Sequence, residues 1–209
     1  VAVRQDGEVT PLVREVSYHV DPGETLAIVG ESGSGKSVSS LAIMGLLAPS
    51  LSVSGGRILF EGQDLLTESA EHMRQRRGRD ISMVFQQPST ALDPVFTIGQ
   101  QINRVYRRHI GGGRADVNQA MLESLSEAGF DDPGSIASAY PHQLSGGMRQ
   151  LAMIAMAMVC KPAVIIADEP TTALDAESNH LILEQLKTLQ SRHGTAILLI
   201  SHDLSSVRN

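Results

Sequence analysis

The chain has 209 residues, 42% of them apolar, and carries 17 Lys and Arg against 23 Asp and Glu for a formal charge of −6. That length suits one sizeable core, or a core with an inserted subdomain, and the acidic balance gives no support for a nucleic-acid-binding surface. The single cysteine excludes an internal disulfide framework and suits a reducing cytosol, and no apolar run approaches the ~20 residues that span a bilayer.

In chain order, residues 9–20 interleave Val13, Val16, Tyr18 and Val20 with polar neighbours, the pattern of a strand. Asp21-Pro22-Gly23-Glu24 is a turn. The apolar run Leu26-Ala27-Ile28-Val29 then leads into Gly30-Glu31-Ser32-Gly33-Ser34-Gly35-Lys36-Ser37, with a helical pattern over residues 37–47. Strand, glycine-rich turn and helix start are the setting that a G-x-x-x-x-G-K-[ST] phosphate loop requires. Gly30, Gly33 and Gly35 allow torsions closed to other residues, so that successive N–H groups along the loop, through Ser32 and Ser34, face phosphate oxygens. The helix start adds unpaired N–H groups and the positive end of its dipole. Lys36 reaches the β- and γ-phosphates and the Ser37 hydroxyl ligates Mg²⁺ in such a loop. The bland alternative is a glycine-rich turn that binds nothing. With every fixed position present in this setting, nucleotide binding is the stronger reading.

Residues 50–56 form a Ser/Gly connection, Arg57-Ile58-Leu59-Phe60 a strand and Glu61-Gly62-Gln63-Asp64 a turn. Residues 68–79 read as a short exposed helix, with Arg74, Arg76, Arg77 and Arg79 on a solvated face rather than in a nucleic-acid patch. Ile81-Ser82-Met83-Val84-Phe85 is a strand ending at Gln86-Gln87-Pro88. Helical spacing follows at Ile98, Ile102, Val105 and Tyr106. After the break Gly111-Gly112-Gly113, a second helix carries Met121, Leu122, Leu125 and Ala128. A third starts near Gly146 and runs to Cys160, with Met148, Met153, Met156 and Met158 as core filler and Cys160 as a buried, unreactive thiol. Residues 163–167 form an apolar strand that ends at Asp168-Glu169-Pro170. A helix over residues 176–192 places Leu181, Ile182, Leu186 and Leu189 on one face. Thr195-Ala196-Ile197-Leu198-Leu199-Ile200 is a wholly apolar strand ending at Ser201-His202-Asp203.

Apolar strands alternating with helices predict an α/β fold with a mainly parallel sheet covered on both faces. In such sheets ligands bind at the carboxyl ends of strands. Gly30, Gln86, Asp168 and His202 each lie just past a predicted strand end, so four candidate groups converge on one edge. Asp168 at a strand end can hold Mg²⁺, and Glu169 beside it can position or deprotonate a water. Asp-Glu after a strand is often only a turn; paired with a phosphate loop it points to a hydrolase.

Leu144-Ser145-Gly146-Gly147-Met148-Arg149-Gln150, ahead of Asp168, resembles the signature motif of ATP-binding cassette (ABC) ATPases. Gln86 resembles that family's Q-loop glutamine, Ala173-Leu174-Asp175 its D-loop and His202 its switch histidine, in matching order across almost the whole chain. Ser145, Gly146 and Gly147 offer a hydroxyl and N–H groups at a helix start, a second anion cradle. The resemblance implies a single ABC ATPase domain over residues 1–209. Its nucleotide-binding core (1–87 and 161–209) is a P-loop NTPase with an N-terminal antiparallel β part, and its inserted helical signature subdomain covers about 88–160. It also implies ATP and Mg²⁺ as ligands, with Ser37, Gln86 and Asp168 toward the metal. Glu169 would be the general base, His202 the γ-phosphate sensor, and Gln86 would position water. Two ATPase subunits would pair head to tail, each placing its signature on the other's ATP.

Within the family, Val84-Phe85-Gln86-Gln87-Pro88-Ser89-Thr90-Ala91-Leu92-Asp93-Pro94 and Tyr140-Pro141-His142-Gln143 resemble the oligopeptide/dipeptide/nickel importer branch. That implies transmembrane permease subunits docking after Gln86, a second ATPase subunit and, indirectly, an extracytoplasmic solute-binding protein, with no nucleic acid. The place implied is the cytoplasmic face of the inner membrane, as a peripheral subunit. The alternatives are a non-transport ABC ATPase and an incomplete ATP-binding fragment without turnover. Four departures from the family pattern stand out. The usual adenine-stacking aromatic position falls near Val3. Met148 replaces a glutamine. Leu151-Ala152 replaces an Arg-Val pair, as a buried face at Leu151 would allow. The chain stops at Asn209, short of the family's further strand and helix, and begins at Val1 rather than Met, so sequence is expected to be missing at both ends.

Overall fold

The computed structural model describes residues 1–5, 8–172 and 174–202. Its centre is a parallel sheet of four strands in the order β3-β9-β8-β7, formed by Thr25–Val29, Ala196–Ser201, Val164–Asp168 and Ile81–Val84. Strands covered on both faces need apolar side chains at successive positions, which these runs supply. The pleat then sorts them. Val84, Ile165, Ala167, Ile197 and Leu199 face one core, while Ile81, Met83, Ile166, Leu198 and Ile200 face the other. β9, apolar from Ala196 to Ile200, pairs Leu198 with Leu26 on one side and with Ile166 on the other, so it lies inside the sheet.

One core lies under α1 (Lys36–Ile43), with Met44, Phe60, Leu65 and Met73 of α2 (Ala70–Arg76). The other is built by α3 (Pro88–Ala91), α4 (Ile98–His109), α5 (Arg114–Glu127), α6 (Pro133–Ser138) and α7 (Gly146–Met158), which follow β7 in the chain, together with α8 (Ala176–His193). Ile98, Ile102, Leu125, Ile154 and Ile182 are among its fully buried side chains. Met153 and Met158 are buried and Met148 and Met156 pack against the same cluster, as filler. Leu151, at 5% exposure, occupies the buried face that its departure from the family pattern suggested. Burial also pushes the Cys160 thiol up to about 11, which keeps it protonated and inert at neutral pH.

Several sequence expectations shift. The strand expected over residues 9–20 is confined to β2 (Glu8–Pro11), which pairs antiparallel with β1 (Ala2–Gln5). Beyond Pro11 the alternating pattern has no partner strand, and Glu15 takes a left-handed φ of +47° that breaks an extended run. The connection at residues 50–56 contains β4 (Leu51–Ser52), which closes the far edge of β1 and completes the antiparallel part. The turn placed at 61–64 is tighter than expected. Glu61 (φ +50°) and Gly62 (φ +80°) alone connect β5 (Leu59–Phe60) to β6 (Gln63–Asp64), the two-residue hairpin geometry that needs positive φ twice. The helix after the phosphate loop ends at Ile43 rather than reaching residue 47. Gly45, at φ +61°, donates to Ala42 O at 3.1 Å while Leu46 donates to Leu41 O at 2.8 Å, the paired bonds of a glycine-terminated helix end.

Three of the arginines of 74–79 have hydrogen-bond partners within the chain. Arg74 pairs with Glu71 at 2.7 Å, Arg76 with Glu68 at 2.7 Å and with Asp80 at 3.3 Å, and Arg77 donates to Met44 O at 3.2 Å. On α8, Leu181 departs from the expected apolar face and is 44% exposed, whereas Ile182, Leu186 and Leu189 are buried. The latter follow the i, i+4, i+7 spacing of one helical stripe, and Leu181 lies a full residue's rotation away from it.

Candidate functional site at the carboxyl edge of the sheet

The loop between β3 and α1 is held open by its own torsions. Gly33 (φ +83°) and Gly35 (φ +93°) occupy the left-handed region, and Gly35 is also the N-cap of α1 without any side-chain cap. The first N–H groups of that helix therefore face outward with no side chain to satisfy them. Gly30 does not have a positive φ; a Cβ there would lie 3.2 Å from Ser34 Oγ, a close contact that the hydroxyl would have to give way to. A Cβ on Gly35 would lie 2.7 Å from Val13 Cγ2, so the segment after β2 lies directly against the loop.

Lys36 is buried to 8% exposure, yet among the described residues its ammonium has only neutral hydrogen-bond partners. It donates to Gly30 O at 2.6 Å and Glu31 O at 2.8 Å, with Ser34 Oγ at 3.5 Å. A buried cation aimed back across a loop of exposed Ser32, Gly33 and Ser34, with no ion pair among the described residues, has the chemistry to receive an anion.

The strand order brings the second half of the site to this loop. Ser37 donates to Asp168 Oδ1 at 3.0 Å across 131 residues of sequence. Asp168, buried at the end of β8, is held above the ordinary aspartate range, chiefly by burial; the Ser37 hydrogen bond opposes the shift and the charge of Glu169 adds to it. Two neighbouring carboxylates, one of them desolvated, place negative charge beside a hydroxyl, and the Lys36 ammonium offsets only part of it, since Asp168 is still held above its ordinary value. Those are hard oxygen donors of the kind Mg²⁺ takes together with phosphate oxygens. Among the described residues no group of three or more His, Cys, Asp or Glu could hold a metal by itself.

Glu169 adopts φ +47°, which for a residue with a side chain costs on the order of 1–3 kcal/mol, and its N–H is tied to Ile200 O at 2.9 Å. That bend directs the carboxylate toward the neighbouring strand ends. Gln86 Nε2 donates to Glu169 Oε2 at 2.8 Å, His202 Nδ1 lies 3.1 Å from the same oxygen, and Thr172 Oγ1 donates to it at 2.9 Å. Gln86, Glu169 and His202, each anticipated at a strand end, therefore meet on one carboxylate. Thr172 was not anticipated; the signal available was a hydroxyl three residues after Glu169, across Pro170.

The signature residues form a separate surface. Ser145 caps α7 by accepting from Met148 N at 3.2 Å, and Asp175 caps α8 by accepting from Ser178 N at 2.8 Å and Ser178 Oγ at 2.9 Å. A Cβ on Gly147 would lie 2.9 Å from Ser178 Oγ, and one on Gly146 would lie 3.2 Å from Leu174 Cδ2, so the glycines of α7 let its start pack closely against the start of α8. No hydrogen bond or ion pair among the described residues joins 145–147 to the phosphate loop. Ala173 and Asp203, part of the motifs read from the sequence, lie outside the described residues.

The ABC transporter family model matches residues 13–172. The chain is 50% identical over 202 residues to the dipeptide transport ATP-binding protein DppD of Bacillus subtilis (strain 168), covering 96% of this chain and 60% of that protein. It is 48% identical over 195 residues to DppD of Escherichia coli K12, covering 93% of this chain and 60% of the relative. The chain thus spans about 60% of the length of these curated relatives. Among solved structures it is similar to the MJ0796 cassette in a dimeric post-hydrolysis state with ADP and Pi. The TM-score is 0.84 at 28% identity, over 99% of this chain and 87% of that one.

Proposed function

The chain belongs to the ABC transporter family, and on that premise we propose that it binds and hydrolyses Mg²⁺-ATP to power peptide import through a membrane permease. The observation that carries this reading is the convergence of the buried Lys36 ammonium, the Ser37–Asp168 pair and the Glu169 carboxylate on one sheet edge. Lys36 exchanges its loop carbonyls for the β- and γ-phosphate oxygens. Ser37, Asp168 and Gln86 are the residues that would hold Mg²⁺, which supplies neutralisation of phosphate charge. Glu169 takes a proton from a water that attacks the γ-phosphorus, and ADP leaves with the bridging oxygen. Gln86 orients that water, and His202 donates toward the γ-phosphate.

Ser145, Gly146 and Gly147 serve the ATP of a second ATPase subunit in a head-to-tail pair, with Asp175 beside them. The dimeric state of the MJ0796 cassette supports the pairing of two such subunits. In the same reading the nucleotide-binding core is residues 1–87 and 161–209, and about 88–160 form the helical signature subdomain. No helix among the described residues is long and apolar enough to cross a membrane, in keeping with a subunit that meets the bilayer through permease partners on its cytoplasmic face. The extracytoplasmic solute-binding protein is an indirect partner. The names of the relatives favour peptides over nickel as cargo. Reconstitution of the transporter in proteoliposomes tests the whole reading: labelled dipeptide should accumulate with Mg²⁺-ATP and not with a non-hydrolysable analogue. Equal accumulation with both would remove hydrolysis from the function, and accumulation of nickel instead of peptide would change the cargo.

A further inference from the structure

Three groups crowd one oxygen of Glu169. Gln86 Nε2 at 2.8 Å, Thr172 Oγ1 at 2.9 Å and His202 Nδ1 at 3.1 Å all engage Oε2. A carboxylate oxygen has two lone pairs, so all three cannot be held at full strength together. They also differ in origin. Gln86 lies beyond the end of β7, exposed, and His202 lies beyond the end of β9 with 52% of its side chain exposed. In the reading above both turn toward nucleotide, one to water and metal and the other to the γ-phosphate. Thr172 has no such alternative. It belongs to the same turn as Glu169, with its N–H donating to Glu169 O at 3.2 Å, so its hydroxyl travels with the carboxylate it holds.

We propose that Thr172 is a positioning residue for hydrolysis: its hydroxyl pins Glu169 Oε2 when Gln86 and His202 leave it, so that Oε1 faces the attacking water. This rests on the reading of Glu169 as the general base. The bent backbone at φ +47° sets the direction of the side chain, and the Thr172 bond sets its rotation about the terminal torsion, which is otherwise broad for a glutamate. Misorientation of a base lowers turnover and leaves ground-state nucleotide binding untouched, because Thr172 lies on the carboxylate and not on the phosphate loop.

The test is steady-state ATPase of the complete transporter complex carrying Thr172→Ala, Thr172→Val or Thr172→Ser, alongside Glu169→Gln. Thr172→Ala and Thr172→Val are expected to lose kcat by about tenfold to a hundredfold with KM for ATP and Tm unchanged, the range for a hydrogen bond to a charged group. Thr172→Ser, which keeps the hydroxyl, should stay within about twofold of wild type. In a Glu169→Gln background, Thr172→Ala should cause no further loss. Wild-type kcat in Thr172→Ala, or a loss shared with KM and Tm that Thr172→Ser does not restore, overturns the inference. Wild-type turnover in Glu169→Gln overturns the base assignment itself, an outcome separable from the failure of Thr172 alone.

Discussion

Gly35→Ala perturbs the phosphate loop in two ways that the structure separates. An alanine must hold φ +93°, which costs about 1–2 kcal/mol for a residue with a Cβ. Its methyl would also lie 2.7 Å from Val13 Cγ2, an overpacked contact worth about 1–3 kcal/mol. Together the substitution should destabilise the chain by about 2–5 kcal/mol. Trimming Val13 to alanine deletes the clashing methyl but leaves the torsion as it was. Gly35→Ala in a Val13→Ala background should therefore cost only the torsional part, with a coupling of about 1–3 kcal/mol between the two sites. Urea denaturation of the four species, read as midpoint shifts at a common m-value, measures this directly. Gly35→Ala within about 0.5 kcal/mol of wild type would refute the argument. So would an equal loss in both backgrounds, which would take Val13 off the loop.

The other perturbations follow from burial. Ile182→Ala, at a fully buried position of α8, should cost about 2–5 kcal/mol, whereas Leu181→Ala, one residue earlier and 44% exposed, should stay within about 0.5 kcal/mol. Similar losses at both positions, read by urea denaturation, would mean that the helix is rotated from the orientation described. Because Asp168 is held above its ordinary value in the folded chain, its contribution to stability is full below the unfolded pKa and is lost as pH rises through the folded one. Asp168→Asn should accordingly melt higher than wild type at neutral pH, converge with it in acid, and lose Mg²⁺-dependent turnover. A lower Tm at neutral pH would show that the ionised carboxylate is a net stabiliser.

The parallel sheet was legible because burial on both faces leaves a plain mark. Ile81 to Val84, Val164 to Ala167 and Ala196 to Ile200 are runs that no exposed strand would carry. The same logic failed for residues 9–20, where an apolar alternation means a strand only if a neighbour pairs with it, and β1 pairs no farther than Pro11. The individual site groups could be placed at strand ends, but their meetings could not. Ser37 reaches Asp168 because β9 lies between β3 and β8, an order set by tertiary packing rather than by any local pattern. Thr172 escaped notice for the opposite reason: a threonine in a turn is ordinary until the left-handed bend at Glu169 brings the carboxylate back over it.

Turnover and ATP binding by Glu169→Gln, measured together in the assembled transporter, decide whether Glu169 is the base of hydrolysis. The amide keeps the shape of the side chain and cannot accept the water's proton. ATP affinity should stay within about twofold of wild type, while hydrolysis falls by about 10²–10⁴-fold and the ATP-bound pair of subunits accumulates. Wild-type turnover with intact binding would contradict the account and move the base elsewhere on the sheet edge.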